Sequence, residues 1–324
     1  MTGPLLAVED LRTEFRTRRG VAKAVDGVSF TIARGEILAL LGESGCGKSV
    51  TALSIMGLVP AAAGGVVGGR ILLDGRDLRG LPDAELRRLR GGAMAMIFQE
   101  PLTSLNPVLT VGRQIAETLV AHGKVAAGRE ARARAIELLR EVGIAEPERR
   151  VDAYPHELSG GMCQRVMIAM AIACDPDLLI ADEPTTALDV TIQKQILHLV
   201  HELLGRRGTA VLLITHDMGV VAENADRVAV MYAGRIVESA PAAELFAAPA
   251  HPYTRGLLDS MPDIDHDAAR LPAIPGFVPD LLAMPPGCAF APRCPRADAH
   301  CRARPPDETR LSAARVVRCW KPLP

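Results

Sequence analysis

Aromatic residues are scarce: one Trp, three Tyr and six Phe make up 3% of the 324 residues. The hydrophobic fraction of 48% and mean hydropathy of +0.16 suggest a membrane protein, yet so few aromatics cannot build interfacial Trp/Tyr belts. Charge of one sign is lacking as well, because 37 basic and 38 acidic residues leave a net charge of -1. That balance excludes a global basic field for nucleic acid or anionic lipid and leaves a local patch open. Nor is there a long uninterrupted apolar run. The longest stretch without a charged side chain, Ser49 to Gly69, is broken by Gly57, Pro60, Gly64, Gly65, Gly68 and Gly69. Only about Val50 to Val59 reads as continuous helix, far short of the ~20 residues a span needs, so no membrane helix is expected. Early charges at Glu9, Asp10 and Arg12 replace the basic-then-apolar pattern of a secretory signal. The chain is expected to stay in the cytosol, where disulfides are disfavoured.

What is present is unevenly spread. Cys46, Cys163 and Cys174 are scattered, whereas Cys288, Cys294, Cys301 and Cys319 share the last 37 residues. Fifteen of the 24 prolines lie from Pro241 onward. Together these mark a change of architecture near residue 240: a main domain over 1–240 and a loop-rich tail over 241–324. No internal duplication is visible, and the Ala/Gly run at 61–69 is the one low-complexity tract.

Within the main domain, short apolar runs alternate with helical patterns, which predicts a mostly parallel sheet covered by helices. Residues 36–41, 178–181 and 210–215 read as buried strands. Ile192, Ile196, Leu199, Val200 and Leu203 recur at helical spacing, as do Ile136, Leu138, Leu139 and Val142 in a helix over 129–142. The region of about 100–165 lacks strong strands and reads as a helical insertion.

Between the first strand and the helix after it stands Gly42-Glu43-Ser44-Gly45-Cys46-Gly47-Lys48-Ser49, a match to G-x-x-x-x-G-K-[ST] in the context a phosphate-binding P-loop needs. Its glycines let backbone N–H groups turn onto phosphates, and the helix N-terminus adds positive dipole. Lys48 is expected to reach the β- and γ-phosphates of ATP, and the Ser49 hydroxyl to bind Mg²⁺. The bland alternative is a glycine-rich turn that happens to carry a lysine. Lysine is rare here, so chance gives such a match in below roughly one sequence in a hundred. Cys46 reads as an inert spacer.

The strand at 178–181 ends in Asp182 and Glu183. Asp182 suits Mg²⁺, and Glu183 suits the general base that orients and polarises an attacking water. A solvated acidic pair after a buried strand is the alternative, and the P-loop upstream weighs against it. Leu158-Ser159-Gly160-Gly161-Met162 opens a further helix, where Ser159 and the N–H groups of Gly160 and Gly161 form a second anion cradle. One nucleotide does not need two such cradles from one chain. The arrangement makes sense if two ATPase domains pair head to tail.

The ordered set of P-loop, Gln99, Leu158 to Met162, Asp182-Glu183, Ala187-Leu188-Asp189 and His216 resembles the nucleotide-binding subunits of ABC transporters over about residues 5–240. That resemblance implies a P-loop NTPase (RecA-like) α/β core with an N-terminal antiparallel β-subdomain and a helical subdomain. It makes Gln99 the glutamine that senses Mg²⁺ and the γ-phosphate, Asp189 a dimer contact and His216 the switch histidine. Phe15 is the candidate for stacking on adenine, with a core position as its alternative. The segment Phe98 to Pro107 and the extension from Leu245 to Trp320, with His251-Pro252-Tyr253-Thr254, further resemble the ATPase subunits of dipeptide, oligopeptide and nickel importers. The resemblance makes Gln99 to Pro107 the groove for a permease coupling helix; a Pro-rich surface loop is the plainer reading.

The terminal cysteines, spaced C-x5-C-x6-C-x17-C, lack the C-x-x-C pairs of zinc ribbons. A thiolate set on a Pro-rich segment suggests a metal centre, and the importer resemblance implies a 4Fe-4S cluster; Zn²⁺ and plain free thiols stay open. The expected partners are a second ABC ATPase subunit, identical or homologous, two integral-membrane permease subunits and an extracytoplasmic solute-binding protein, with no nucleic acid. The expected place is the cytoplasmic face of the bacterial inner membrane. Peptides are the expected solute, with nickel or another small solute open. The rivals are a soluble ABC ATPase, which would carry a coiled-coil insertion or a second ATPase domain, and a metal-dependent regulator.

Overall fold

A computed structural model describes residues 3–184, 193, 195, 199, 202, 205, 208–261 and 273–324. Ala187, Leu188 and Asp189 lie outside the described residues, as do Ile192, Ile196, Val200 and Leu203 of the expected helix. The strands are β1 (Leu6–Thr17), β2 (Gly20–Ile32), β3 (Ile37–Leu41), β4 (Gly64–Leu73), β5 (Arg76–Asp77), β6 (Met94–Ile97), β7 (Leu178–Asp182), β8 (Ala210–Thr215), β9 (Arg227–Tyr232), β10 (Arg235–Pro241), β11 (Thr309–Arg310) and β12 (Val316–Val317). The chain divides into two compact units, Met1–Leu5 with Ile32–Glu36 and Gly80–Leu213, and Leu6–Thr31 with Ile37–Arg79 and Ile214–Pro324. Among the described residues, no helix is long and apolar enough to cross a membrane.

In the first unit β6 and β7 run parallel, with Met94 opposite Leu178 and Ile97 opposite Ala181, and β8 lies on the other side of β7. Every residue of β7 and β8 is buried, so their sequences are apolar runs without alternation. Between β6 and β7 the ordered elements are helical, the longest being Val111–Ala121, Arg129–Glu141 and Gly160–Ile172. Arg129–Glu141 buries Ala131, Ala135, Leu138 and Leu139, one stripe at helical spacing. Thr110 caps Val111–Ala121 by accepting from the Arg113 N–H. The Gln114 side chain accepts from the Asn106 N–H at 2.8 Å and donates to the Asn106 and Leu109 carbonyls, each at 3.0 Å. One buried amide therefore fixes the end of the Gln99 to Pro107 loop.

The second unit holds an antiparallel sheet in the order β2-β1-β4-β5, with Leu6 opposite Leu73 and Phe15 opposite Gly64. It also holds β3 parallel to β9, β9 antiparallel to β10, and β12 between β10 and β11. The β9–β10 hairpin turns through Ala233 and Gly234 at φ 46° and 83°, the left-handed pair that suits the strands' right-handed twist. Residues on both sides of position 240 share one core: Leu41, Val230 and Tyr232 pack with Leu245, Tyr253 and Phe290. Tyr232 meets Tyr253 edge-on at 4.6 Å and Phe290 at 5.3 Å. Three of only ten Trp, Tyr and Phe residues are concentrated here. Burying each ring contributes roughly 1.5–3 kcal/mol, and the edge contacts about 0.5–1.5 kcal/mol more.

Candidate ATP site

The P-loop follows β3 directly, and Lys48 opens the helix Lys48–Ile55 behind it. Two of its glycines are fixed by close approach. A Cβ on Gly42 would stand 2.2 Å from the Met231 carbonyl oxygen, and one on Gly47 would stand 2.3 Å from that of Ala24. Gly47 also sits at φ 107°, a conformation closed to side-chain-bearing residues. Gly45, at φ 79°, has nothing within 4 Å of its would-be Cβ, and Ser44 and Gly45 are exposed. The mouth of the loop is thus open while its base is packed, as a phosphate cradle requires. Lys48 is 5% exposed, and its Nζ donates to the Gly42 carbonyl at 2.8 Å and the Glu43 carbonyl at 3.1 Å. Ser49 is half-buried at the helix start.

Cys46 is buried with its carbonyl accepting from the Gly234 N–H at 2.9 Å, and burial pushes its thiol above the usual range. It is a packing residue and not a nucleophile. His216, also in the second unit, is exposed after β8, and Asp217 beside it caps the helix Met218–Asn224 by accepting from the Gly219 N–H at 2.8 Å. Phe15 is half-buried on β1.

The first unit supplies the remaining groups. Asp182 ends β7 and is 4% exposed. Glu183 follows at φ 45°, a left-handed conformation that costs a non-glycine residue of order 1–2 kcal/mol. The Gln99 Nε2 donates to the Glu183 Oε2 at 2.8 Å, joining two residues 84 positions apart. Ser159 caps Gly160–Ile172 by accepting from the Met162 N–H at 3.3 Å; Ser159 and Gly160 are exposed and Gly161 is half-buried. The structure therefore groups Gln99 with Asp182 and Glu183, and the P-loop with its own helix.

Sequence reasoning missed two groups on the P-loop. The Glu43 N–H donates to the Tyr253 hydroxyl at 2.9 Å, and the Glu43 carboxylate accepts two bonds from the Arg293 guanidinium, at 2.6 and 2.9 Å. These bonds raise the pKa of Arg293 further above its usual value.

In the tail, the Cys288 N–H donates to the Cys301 carbonyl at 2.8 Å. Burial and then the neighbouring thiols of Cys288, Cys294 and Cys301 push the Cys319 thiol up to about 11. Among the described residues, no three of His, Cys, Asp and Glu are grouped so as to hold a metal ion. The described thiols therefore do not form the compact set that a bound metal ion needs, with Zn–S bonds, for instance, of about 2.3 Å. Neither the expected 4Fe-4S cluster nor the alternative zinc ion finds such a group among the described residues.

The description "ABC transporter" matches residues 25–186, and "Oligopeptide/dipeptide transporter, C-terminal region" matches residues 237–301. The probable peptide ABC transporter ATP-binding protein y4tR of Sinorhizobium fredii is 55% identical over 98% of this chain and 95% of its own. The oligopeptide transport ATP-binding protein AppD of Bacillus subtilis is 53% identical over 98% and 96%. The dipeptide transport protein DppD of the same organism is 51% identical over 98% and 94%. Among solved structures, a dimeric ATP-binding cassette in a post-hydrolysis state with ADP and Pi superposes with a TM-score of 0.66 at 28% identity, covering 73% of this chain and 98% of that one. A P-loop, a strand-end Asp-Glu pair and a Ser-Gly-Gly helix start, in a chain matched along its whole length, lead to one assignment: the protein belongs to the ABC transporter ATPases, as an ATP-binding subunit that energises peptide import.

Proposed function

We propose that the chain is one half of a head-to-tail pair of ATPase domains at the cytoplasmic face of the membrane, coupled to two permease subunits and supplied by an extracytoplasmic solute-binding protein. Each ATP lies between the P-loop of one subunit and Ser159, Gly160 and Gly161 of the other. The backbone of Gly42 to Ser49 and the Lys48 ammonium hold the phosphates, Phe15 stacks on adenine, and Asp189 contacts the partner. Ser49, Asp182 and Gln99 would hold Mg²⁺, which when bound neutralises charge on the β- and γ-phosphate oxygens. Glu183 orients and deprotonates the attacking water, and His216 touches the γ-phosphate. In-line attack then reopens the pair and resets the permease.

The observation that carries this reading is the Gln99–Glu183 hydrogen bond beside buried Asp182: it holds a strained strand-end carboxylate at a fixed position, as a general base requires. Glu183→Gln should retain ATP binding, lower turnover by about 10²- to 10⁴-fold and trap the closed dimer. Wild-type turnover in that variant removes Glu183 from the base role.

Residues 1–240 form the ATPase domain in this reading, with the helical subdomain at about 100–165, and 241–324 the importer-type extension. The four terminal cysteines hold a 4Fe-4S cluster. The reading is supported by the placement of the four cysteines in one short segment and by the Cys288 N–H to Cys301 carbonyl bond at 2.8 Å, which brings two of them together. A colourless protein after anaerobic purification would contradict it.

A further inference from the structure

The P-loop carries a carboxylate. Glu43 occupies its first variable position, where a free negative charge repels the polyphosphate that the loop must accept. The side chain that answers it comes from 250 residues away. Arg293, 4% exposed, donates through Nη1 to the Glu43 Oε2 at 2.6 Å and through Nη2 to Oε1 at 2.9 Å, the bidentate geometry peculiar to arginine. Its remaining donors are used too. Nε binds the Pro275 carbonyl at 3.0 Å, Nη2 the Ile274 carbonyl at 3.3 Å, and Nη1 the Tyr232 hydroxyl at 3.4 Å. The guanidinium also sits 5.8 Å from the Tyr232 ring centre and 6.0 Å from that of Phe290. It therefore cannot swing to another partner without abandoning a full set of bonds.

The backbone of Glu43 is held as well. Its N–H donates to the hydroxyl of fully buried Tyr253, and its carbonyl receives Lys48 Nζ at 3.1 Å. Arg293, Glu43 and Lys48 thus form one connected set running from the cysteine-bearing segment to the phosphate-binding ammonium.

We propose that Arg293, with Tyr253, is a positioning residue for nucleotide: it neutralises and immobilises Glu43, and so makes the C-terminal extension a determinant of ATP affinity. The inference rests on the P-loop reading above. Loss of binding in Lys48→Ala tests that reading separately and holds whether or not Arg293 contributes.

The test measures fluorescent ATP and ADP binding to the full-length, anaerobically purified chain. Arg293→Met leaves Glu43 uncompensated and should weaken ATP binding about tenfold or more, the effect of one lone charge near a polyphosphate at an effective dielectric of about 20. The loss should be larger for ATP than for ADP, and Arg293→Lys should keep most of the affinity. Adding Glu43→Gln to Arg293→Met should recover most of the loss, which a merely structural role for Arg293 would not permit. Glu43→Gln alone keeps the loop backbone and removes the carboxylate that needs compensation, so it should bind ATP within about threefold of wild type, and it tests the idea even if Arg293→Met fails to fold. A double variant as weak as Arg293→Met, or a Glu43→Gln single variant more than about threefold weaker than wild type, overturns the proposal.

Discussion

The two glycine-rich loops, Gly42 to Ser49 and Leu158 to Met162, use the same device, backbone N–H groups at the start of a helix, but differ in what fixes their shape. The P-loop is clamped from several sides. The carbonyls of Ala24 and Met231 leave no room for a Cβ, Gly234 holds Cys46, and Tyr253 and Arg293 hold Glu43. The second loop shapes itself: Ser159 caps its own helix, and Ser159 and Gly160 stay exposed. It also carries no lysine. A cradle with its own cation and a rigid base can bind polyphosphate alone, whereas one built only of N–H groups and a hydroxyl suits a supporting contact to a phosphate already held elsewhere. On the proposed function, the contrast accounts for one chain containing both.

Single atoms added or removed at each loop should break this contrast in opposite ways. Gly47→Ala places a methyl 2.3 Å from a backbone oxygen at φ 107°, so the loop must deform. The expected result is a loss of roughly 3 kcal/mol or more of stability together with ATP binding, read by thermal unfolding and nucleotide titration. Normal ATP affinity in Gly47→Ala would show that the clamp does not set the loop's shape. Ser159→Ala should do the reverse. It removes one helix cap, worth about 1 kcal/mol, and leaves ATP binding to the isolated chain intact, while turnover in the assembled transporter falls about a hundredfold. If Ser159→Ala instead weakens ATP binding to the isolated chain, the two loops do not divide the work as proposed.

How far each loop was legible in the sequence follows from the same contrast. The P-loop, the Asp182-Glu183 pair and the Ser159 start are local patterns, and the strands that carry them announce themselves as apolar runs. The helix over 129–142 also appears within a residue of its expected place, because one apolar stripe defines it. The Gln99–Glu183 bond and the Arg293–Glu43 pair span 84 and 250 positions, and only tertiary packing brings those residues together. The expectation of a loop-rich tail captured its composition, yet not that Tyr253 and Phe290 enter the core around Tyr232 or that β12 pairs with β10. A scarcity of aromatics says nothing about where they meet. The one usable signal was the placing of Phe290 and Arg293 between Cys288 and Cys294, and it did not say which surface they face.

Acid should separate the two loops by a smaller margin. His251 lies just before the helix Pro252–Asp259, which carries Tyr253 to the P-loop, and its Nδ1 accepts from the Tyr253 N–H at 3.0 Å. It is 1% exposed, 5.7 Å from the Phe290 ring, and its own N–H donates to the buried Glu238 carboxylate, which also binds Arg315. Burial lowers its pKa from 6.5 to about 3, so it stays neutral in the folded protein. Between those values the unfolded chain binds a proton that the folded chain does not. The stability His251 contributes is therefore present above pH 6.5 and is lost as pH falls toward 3, at roughly 1.4 kcal/mol per pH unit. His251→Asn keeps an acceptor for the Tyr253 N–H and does not titrate. Urea unfolding at pH 7.5 and 5.5 should show the variant less stable at the higher pH yet with a flatter pH dependence than wild type. Because His251 stays neutral in the folded protein over this range, the loss falls on the stability of the unit that carries the P-loop and not on the ATP affinity of the folded chain, while Ser159 keeps its cap. Equal pH slopes in the two proteins would mean that His251 does not report on the P-loop's support.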